Sequence, residues 1–221
     1  MKAFVAGATG ETGARIVTHL LKRGIPTTAL VRDEKIARTK LPPEVSLVQG
    51  DLSDTTSLSR AMMGCTVVLS ATGARPSFDP SGPYQVDYQG TKNLVDAARI
   101  AGVDHFVMVS SLCVSKFFHP LNLFWLVLYW KKLGEEYLQA SGLTYTIVRP
   151  GGLKNDDLDS RPLIMAPSDT LFEGNIPRLK VAETCVEALF LPSARDKIVE
   201  IVAQSQASSK SFEDLFAGVS P

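Results

Sequence analysis

The chain opens with an apolar run, Met1 to Ala6, that passes directly into Gly7-Ala-Thr-Gly10-Glu-Thr-Gly13. An amphipathic stretch follows, with Ile16, Val17, Leu20 and Leu21 on one face. Few local patterns constrain a fold as strongly. A buried strand that ends in a tight turn needs glycine where another group must approach the backbone closely. The helix beginning near Glu11 turns its unpaired N–H groups and its positive dipole end toward the same turn. Together these features predict a strand–turn–helix cradle for two linked phosphates, the dinucleotide pattern. A second apolar strand, Thr27 to Val31, comes next, as that mechanism requires. The alternative is a glycine-rich strand–helix turn that binds nothing.

Apolar runs alternate with helical patterns along the whole chain, which predicts an α/β protein with a doubly wound parallel sheet covered on both faces. Strands are expected near Lys2 to Ala6, Thr27 to Val31, Val45 to Gln49, Thr66 to Ser70, His105 to Val109, Thr144 to Val148 and Lys197 to Val202. Helices are expected over Glu11 to Arg23, Glu34 to Arg38, Thr55 to Met63, Tyr84 to Ala101, Phe124 to Ser141, Val181 to Leu191 and Phe212 to Phe216. With no repeat and no linker, residues 1–221 read as a single Rossmann-type domain. Between residues 151 and 180 the helical rhythm gives way to a stretch rich in Pro, Asp and Gly, expected to form much of the substrate side of the cleft. Ligands in such sheets bind beyond the carboxyl ends of the strands, where the strand order reverses.

The residues after each strand are therefore the candidates. Gly7, Thr9, Gly10, Glu11, Thr12 and Gly13 surround the expected pyrophosphate. Arg32, nineteen positions beyond Gly13, stands where an acidic residue would bind a ribose 2′-hydroxyl. An arginine instead pairs with a 2′-phosphate, which favours NADP(H) over NAD(H). Asp33 follows at once and works against that choice; otherwise Arg32 is a solvated loop cation. Asp51, with Leu52, either receives the adenine amino group or forms a turn or helix cap. Ala71, Thr72 and Gly73 are small enough for the cofactor to lie close, and Arg75 reaches either a phosphate or solvent. Ser110 and Ser111 end the fifth strand beside the expected nicotinamide, and Pro150 and Gly151 end the sixth; a serine pair is equally an ordinary turn feature.

Composition narrows the rest. Lys plus Arg and Asp plus Glu are 23 each, so nothing draws the chain to nucleic acid. Cys65, Cys113 and Cys185 form neither a disulfide framework nor a metal pattern and read as buried thiols in a reducing compartment. A first strand at the very start leaves no room for a secretory signal, so a cytoplasmic or stroma-like setting is expected. The run Phe117 to Trp130 is almost wholly apolar, yet shorter than the roughly 20 residues of a spanning helix. A buried helix start is the favoured reading, and a patch for a protein partner or a membrane surface is the other.

With GATGETG, VRD, GDL, VDYQGTKNLVDAA, VSS and VRPGG in order, the chain resembles the atypical short-chain dehydrogenase/reductase superfamily of NAD(P)-binding, NmrA-like proteins. Leu121 to Trp125, Glu135 to Leu153 and Ser168 to Ile176 are similar to a cyanobacterial and plastid group that includes the Tic dehydrogenase-like subunit. A more distant similarity is to the biliverdin-IXβ reductase and flavin reductase group. These resemblances imply NADPH, an apolar cleft over the nicotinamide, and hydride delivery to FMN, FAD, riboflavin or a linear tetrapyrrole. They equally admit an NADP(H)-binding redox sensor or assembly factor. Many members of the superfamily pair a tyrosine with a lysine four residues on. Here Tyr129 takes the tyrosine place, but Leu133 stands four residues later, with Lys131 and Lys132 nearby. A tyrosine with a pKa of about 10 and no adjacent cation is a poor proton acceptor, which disfavours carbonyl reduction and sugar epimerisation. Flavin or tetrapyrrole reduction needs less help, because the conjugated acceptor spreads its charge and water supplies the proton.

Overall fold

The computed structural model describes residues 1–74 and 78–220. The first strand, β1 (Ala3–Ala6), is wholly buried. Its alternate side chains enter two different cores, Ala3 and Val5 on one face and Phe4 and Ala6 on the other. Burial on both faces explains why the strand is apolar throughout. Eleven further elements carry the pattern onward: α1 (Glu11–Lys22), β2 (Thr27–Val31), α2 (Glu34–Arg38), β3 (Ser46–Gln49), α3 (Thr55–Met62), β4 (Val67–Ser70), α4 (Thr91–Ala101), β5 (His105–Val109), α5 (Val127–Gln139), β6 (Tyr145–Pro150) and, after a gap, α6 (Arg178–Glu187). Helices α1 and α6 pack on one face, through Ile16, Val17, Leu20, Val181 and Cys185. On the other face lie α3, α4 and α5, through Leu58, Met62, Leu94, Ala98 and Leu138.

Within the segment expected to be irregular, three short strands form: β7 (Gly152–Lys154), β8 (Leu163–Pro167) and β9 (Asn175–Pro177). The last strand, β10 (Lys197–Ala203), precedes the closing helix α7 (Phe212–Ala217). The main sheet runs β3-β2-β1-β4-β5-β6-β10-β8. All its pairings are parallel except β10 with β8, so the sheet is parallel with one antiparallel edge. Strands β7 and β9 pair separately, where Gly151 meets the Gly174 carbonyl so closely that a Cβ at Gly151 would lie 2.7 Å from that oxygen. The order reverses between β1 and β4, which opens a crevice at their carboxyl ends.

Two expectations need correction. The helix read from Tyr84 begins as a π-helical turn, Tyr84–Gly90, and becomes α-helical only at Thr91. Wide turns of this kind are frequent at functional sites; this one carries Asp87 and sits so close to α5 that a Cβ on Gly134 would fall 2.7 Å from the Asp87 carbonyl oxygen. The apolar run after residue 116 is not a buried helix start. Phe118 is 97% exposed and Leu123 85%, and Phe117, Phe124 and Trp125 are also exposed. The reason is Asn122, whose carboxamide oxygen accepts from the amides of Leu128 and Tyr129 at 2.9 and 3.3 Å. Its nitrogen donates to the Phe117 carbonyl at 2.8 Å. This polar clasp caps α5 at Val127 and leaves the preceding residues outside the core. No helix among the described residues is long and apolar enough to cross a membrane.

Candidate functional site

The crevice between β1 and β4 is a cleft of about 540 Å³. Of the expected residues, Gly7, Thr9, Gly10, Arg32, Asp51, Leu52, Ala71, Thr72 and Gly73 line it together. Gly7 is required in two ways: its φ is +79°, and a Cβ there would stand 2.6 Å from the Ala71 carbonyl oxygen. Gly13 has a different task. A Cβ on it would lie 2.1 Å from the Gly7 carbonyl oxygen, so glycine is what lets α1 dock against the turn. Gly10 is the N-cap of α1 and supplies no side chain, which leaves the first amides of the helix for an anion. The side chains of Glu11 and Thr12 turn elsewhere. Glu11 pairs with Arg15 at 3.1 Å, and Thr12 accepts from Arg178 at 3.1 Å. Arg15 also holds Asp157 at 2.9 Å, so these contacts tie the 151–180 segment to the start of α1.

The acidic residue beside Arg32 is committed locally. Asp33 is the N-cap of α2, its Oδ1 accepting from the Ile36 amide at 3.0 Å, while Arg32 remains exposed at the cleft. Asp51 lines the cleft and forms the expected turn with Ser53, whose amide and hydroxyl donate to it at 2.9 and 2.8 Å. Those two bonds, with the charge of Arg32 behind them, hold its carboxyl below the ordinary carboxylate range. The cap of α3 falls instead to Asp54. Arg75 lies outside the described residues.

At the end of β5, Ser110 is buried and its hydroxyl has no hydrogen-bond partner in the protein. A buried polar atom left unpaired in this way asks for a ligand or a water. Ser111 is half-buried. Pro150 is buried as the last residue of β6, its carbonyl accepting from the Leu112 amide at 3.0 Å. Gly151 donates to the Ile201 carbonyl at 2.9 Å and packs on Gly174. Tyr129 does not line the cleft: its ring packs on Phe117 and Trp130, with centroids 5.9 and 5.1 Å away. Lys132 pairs with Glu136 at 3.5 Å. The lysine that reaches the cleft wall is Lys131, within 3.5 Å of where a Gly73 Cβ would be. Asp87, with a fully buried side chain, holds it at 2.7 Å and also accepts from the Ala74 amide at 3.2 Å. One turn before Lys131 stands Val127, so no tyrosine precedes this lysine at the four-residue spacing. Forty-four residues separate Asp87 from Lys131, and no local sequence signal joins them.

Comparison with known proteins decides the family. The family described as NAD(P)H-binding matches residues 7–192. The chain belongs to this NAD(P)H-binding family, within the atypical short-chain dehydrogenases/reductases. An uncharacterized chloroplastic protein of Arabidopsis thaliana is 47% identical over 99% of the chain and 82% of its own length. Protein TIC 62 of Pisum sativum, also chloroplastic, is 38% identical over 98% of the chain, which spans only 45% of that longer protein. Sanguinarine reductase of Eschscholzia californica is 31% identical over 99% of the chain and 96% of its own. Among solved structures, a Bacillus halodurans protein assigned to the NAD-dependent epimerases/dehydratases superposes with a TM-score of 0.86. It is 24% identical and covers 99% of both chains, a likeness of fold.

The residues fit the nucleotide that defines this NAD(P)H-binding family. The glycine turn offers a cradle that any side chain would fill, α1 offers uncapped amides, and Ser110 offers an unpaired hydroxyl. The cysteines offer no competing chemistry, since burial pushes the thiols of Cys65, Cys113 and Cys185 up. Sequence reasoning missed Gln85, Gln89 and Asn93, which line the cleft from the π-helical turn and α4. They lie on a helix face that reads as an ordinary polar stripe.

Proposed function

We propose that this protein is an NADPH-preferring reductase that delivers hydride to a flat conjugated acceptor, a flavin or a linear tetrapyrrole. The observation that carries the reading is Lys131 held by buried Asp87 with Val127 one turn before it. A carboxylate partner keeps the lysine occupied, and the residue one turn before it carries no phenol to act as acid. An acceptor that takes its proton from water suits such a site. The relative named sanguinarine reductase supports a reductase.

Bound NADPH would supply the hydride, and the chain's own residues do the positioning. Gly7, Thr9 and Gly10, with the first amides of α1, hold the pyrophosphate. Arg32 meets the 2′-phosphate with a guanidinium whose acidic neighbour, Asp33, is turned into a helix cap. Ser110 and Ser111, with Pro150 behind them, border the nicotinamide, and the 151–180 segment walls the acceptor side. Lys131 stands beside Gly73, its Nζ 3.5 Å from where a Cβ there would be.

Following the nicotinamide absorbance with NADPH and FMN, riboflavin or biliverdin tests this directly. Turnover well above background is expected. Tight binding without oxidation would favour a second reading, a redox sensor or assembly factor that docks through the exposed Phe117 to Trp125 segment. An Arg32→Ala variant is expected to lose about 1.5–3 kcal/mol of NADPH binding while NADH binding changes little. Equal losses for both nucleotides would overturn the preference.

A further inference from the structure

The cleft wall also carries a polar relay that starts from a backbone atom. The Leu52 carbonyl oxygen can only accept. Asn93, on α4 and 9% exposed, meets it with Nδ2 at 2.7 Å. That contact fixes which way the Asn93 carboxamide lies, with its nitrogen toward Leu52 and its oxygen turned away. The oxygen in turn accepts from Gln89 Nε2 at 3.0 Å, one helical turn earlier. Gln89 is thereby oriented as well, because the reverse placement would set two carboxamide oxygens against each other. The end of Gln89 left over is Oε1, an acceptor, on a residue that lines the cleft.

The surroundings say what this acceptor meets. Leu30, Leu52 and Val86 give the same cleft apolar walls suited to a flat ring. Asp51 adds a second acceptor, a carboxylate kept ionised by the Ser53 amide and hydroxyl. Both Ser53 bonds fall on Oδ1. A base that presents an amino group with two protons satisfies two acceptors at once; a base with a carbonyl there sets oxygen against both.

We propose that Gln89, oriented through Asn93 by the Leu52 carbonyl, selects a 6-aminopurine over a 6-oxopurine in the bound dinucleotide. Gln89 is the specificity residue, and Asn93 is its positioning residue. The inference rests on the reading of the cleft as an NADP(H) site and adds the base discrimination to it.

Calorimetry with NADPH and with its hypoxanthine analogue tests it, because the two share pyrophosphate, 2′-phosphate and nicotinamide and differ only at the purine 6-position and in the N1 proton that accompanies the 6-oxo group; the Gln89 variants separate the first from the second. Wild-type protein is expected to prefer NADPH by tenfold or more. In Gln89→Leu that preference should fall by about tenfold, the size of one or two hydrogen bonds. Gln89→Glu, which keeps an acceptor, should retain it. Asn93→Leu should lower it as Gln89→Leu does, since Gln89 is then free to turn. Gln89 is only half-buried, so Gln89→Leu and Gln89→Glu keep the test open if Asn93→Leu fails to fold. If wild type binds NADPH but shows no preference, or if Gln89→Leu leaves the ratio unchanged, the assignment of Gln89 is overturned while the NADP(H) site stands. If wild type binds neither nucleotide, both readings fall.

Discussion

His105 makes the fold sensitive to acid in a way that can be worked out beforehand. It opens β5, is 4% exposed, and lies with Nε2 2.9 Å from the Thr146 hydroxyl oxygen. That hydroxyl donates its own proton to the Ala194 carbonyl at 2.7 Å, so its oxygen accepts from a protonated Nε2 and the imidazole sits neutral. Burial first, and then the charge of Arg195, lower the pKa from 6.5 to about 4, with Asp196 working the other way. A folded value below the unfolded one means that the unfolded chain takes up the proton first. The contribution is therefore fully present above pH 6.5 and is lost as pH falls from 6.5 toward 4. At about 1.4 kcal/mol per unit, the full loss is about 3 kcal/mol, of which about 2 kcal/mol is gone near pH 5. Urea denaturation at about pH 7.5 and pH 5 measures it. His105→Asn keeps a side-chain N–H donor but does not titrate, so its difference from wild type removes what the carboxylates contribute. Equal losses in the two proteins between those pH values would refute the reasoning.

Two further outcomes follow from buried contacts. Arg149 is fully buried and meets Glu135 at 2.7 Å, Asp169 at 2.9 Å and Glu200 at 3.3 Å. Burial works against its charge, but these carboxylates outweigh it and hold its pKa above the ordinary value. Arg149→Ala strands buried Glu135 and leaves Glu200 only the amides of Asp169, Thr170 and Leu171, and should cost about 3–5 kcal/mol in urea denaturation, whereas Glu136→Ala, which breaks only the exposed pair with Lys132, should stay within about 0.5 kcal/mol. Gly13→Ala forces α1 off the turn and should lose about 1–3 kcal/mol of stability along with most of the thermal upshift given by NADPH. An upshift equal to that of wild type would show that the close approach at Gly13 does not shape the cradle.

The elements that sequence reasoning reached share one property, locality. The run from β1 through the glycine turn to α1 was legible because strand, turn and helix are contiguous and Gly10 and Gly13 answer to Gly7 a few residues away, although Gly7 itself answers to Ala71 at the end of β4. The reading of β2 to Arg32 rested on the same short range. Hydrogen bonds from the Ile36 amide and from Ser53 settled what Asp33 and Asp51 hold locally. Strand β8 escaped notice because Leu163 to Pro167 is a short edge strand among proline and aspartate, half-buried and without a clear alternation. The exposed run after Phe117 was misread because apolar content reports a preference for burial, not whether a clasp such as Asn122 keeps the segment out of the core.

By itself the sequence determined the doubly wound architecture and the glycine turn that leads into α1, since the periodicity of side chains and the steric freedom of glycine are written residue by residue. Tertiary structure alone decided that Asp87 takes Lys131, that Arg149 gathers Glu135, Asp169 and Glu200, and that Asn93 bridges Gln89 to the Leu52 carbonyl. Asp87 and Lys131 are 44 positions apart, and Arg149 and Glu200 are 51 apart. The direction of a charge or a carboxamide depends on which groups the packed sheet and helices bring within 3 Å or so, a distance along which chain order carries no information.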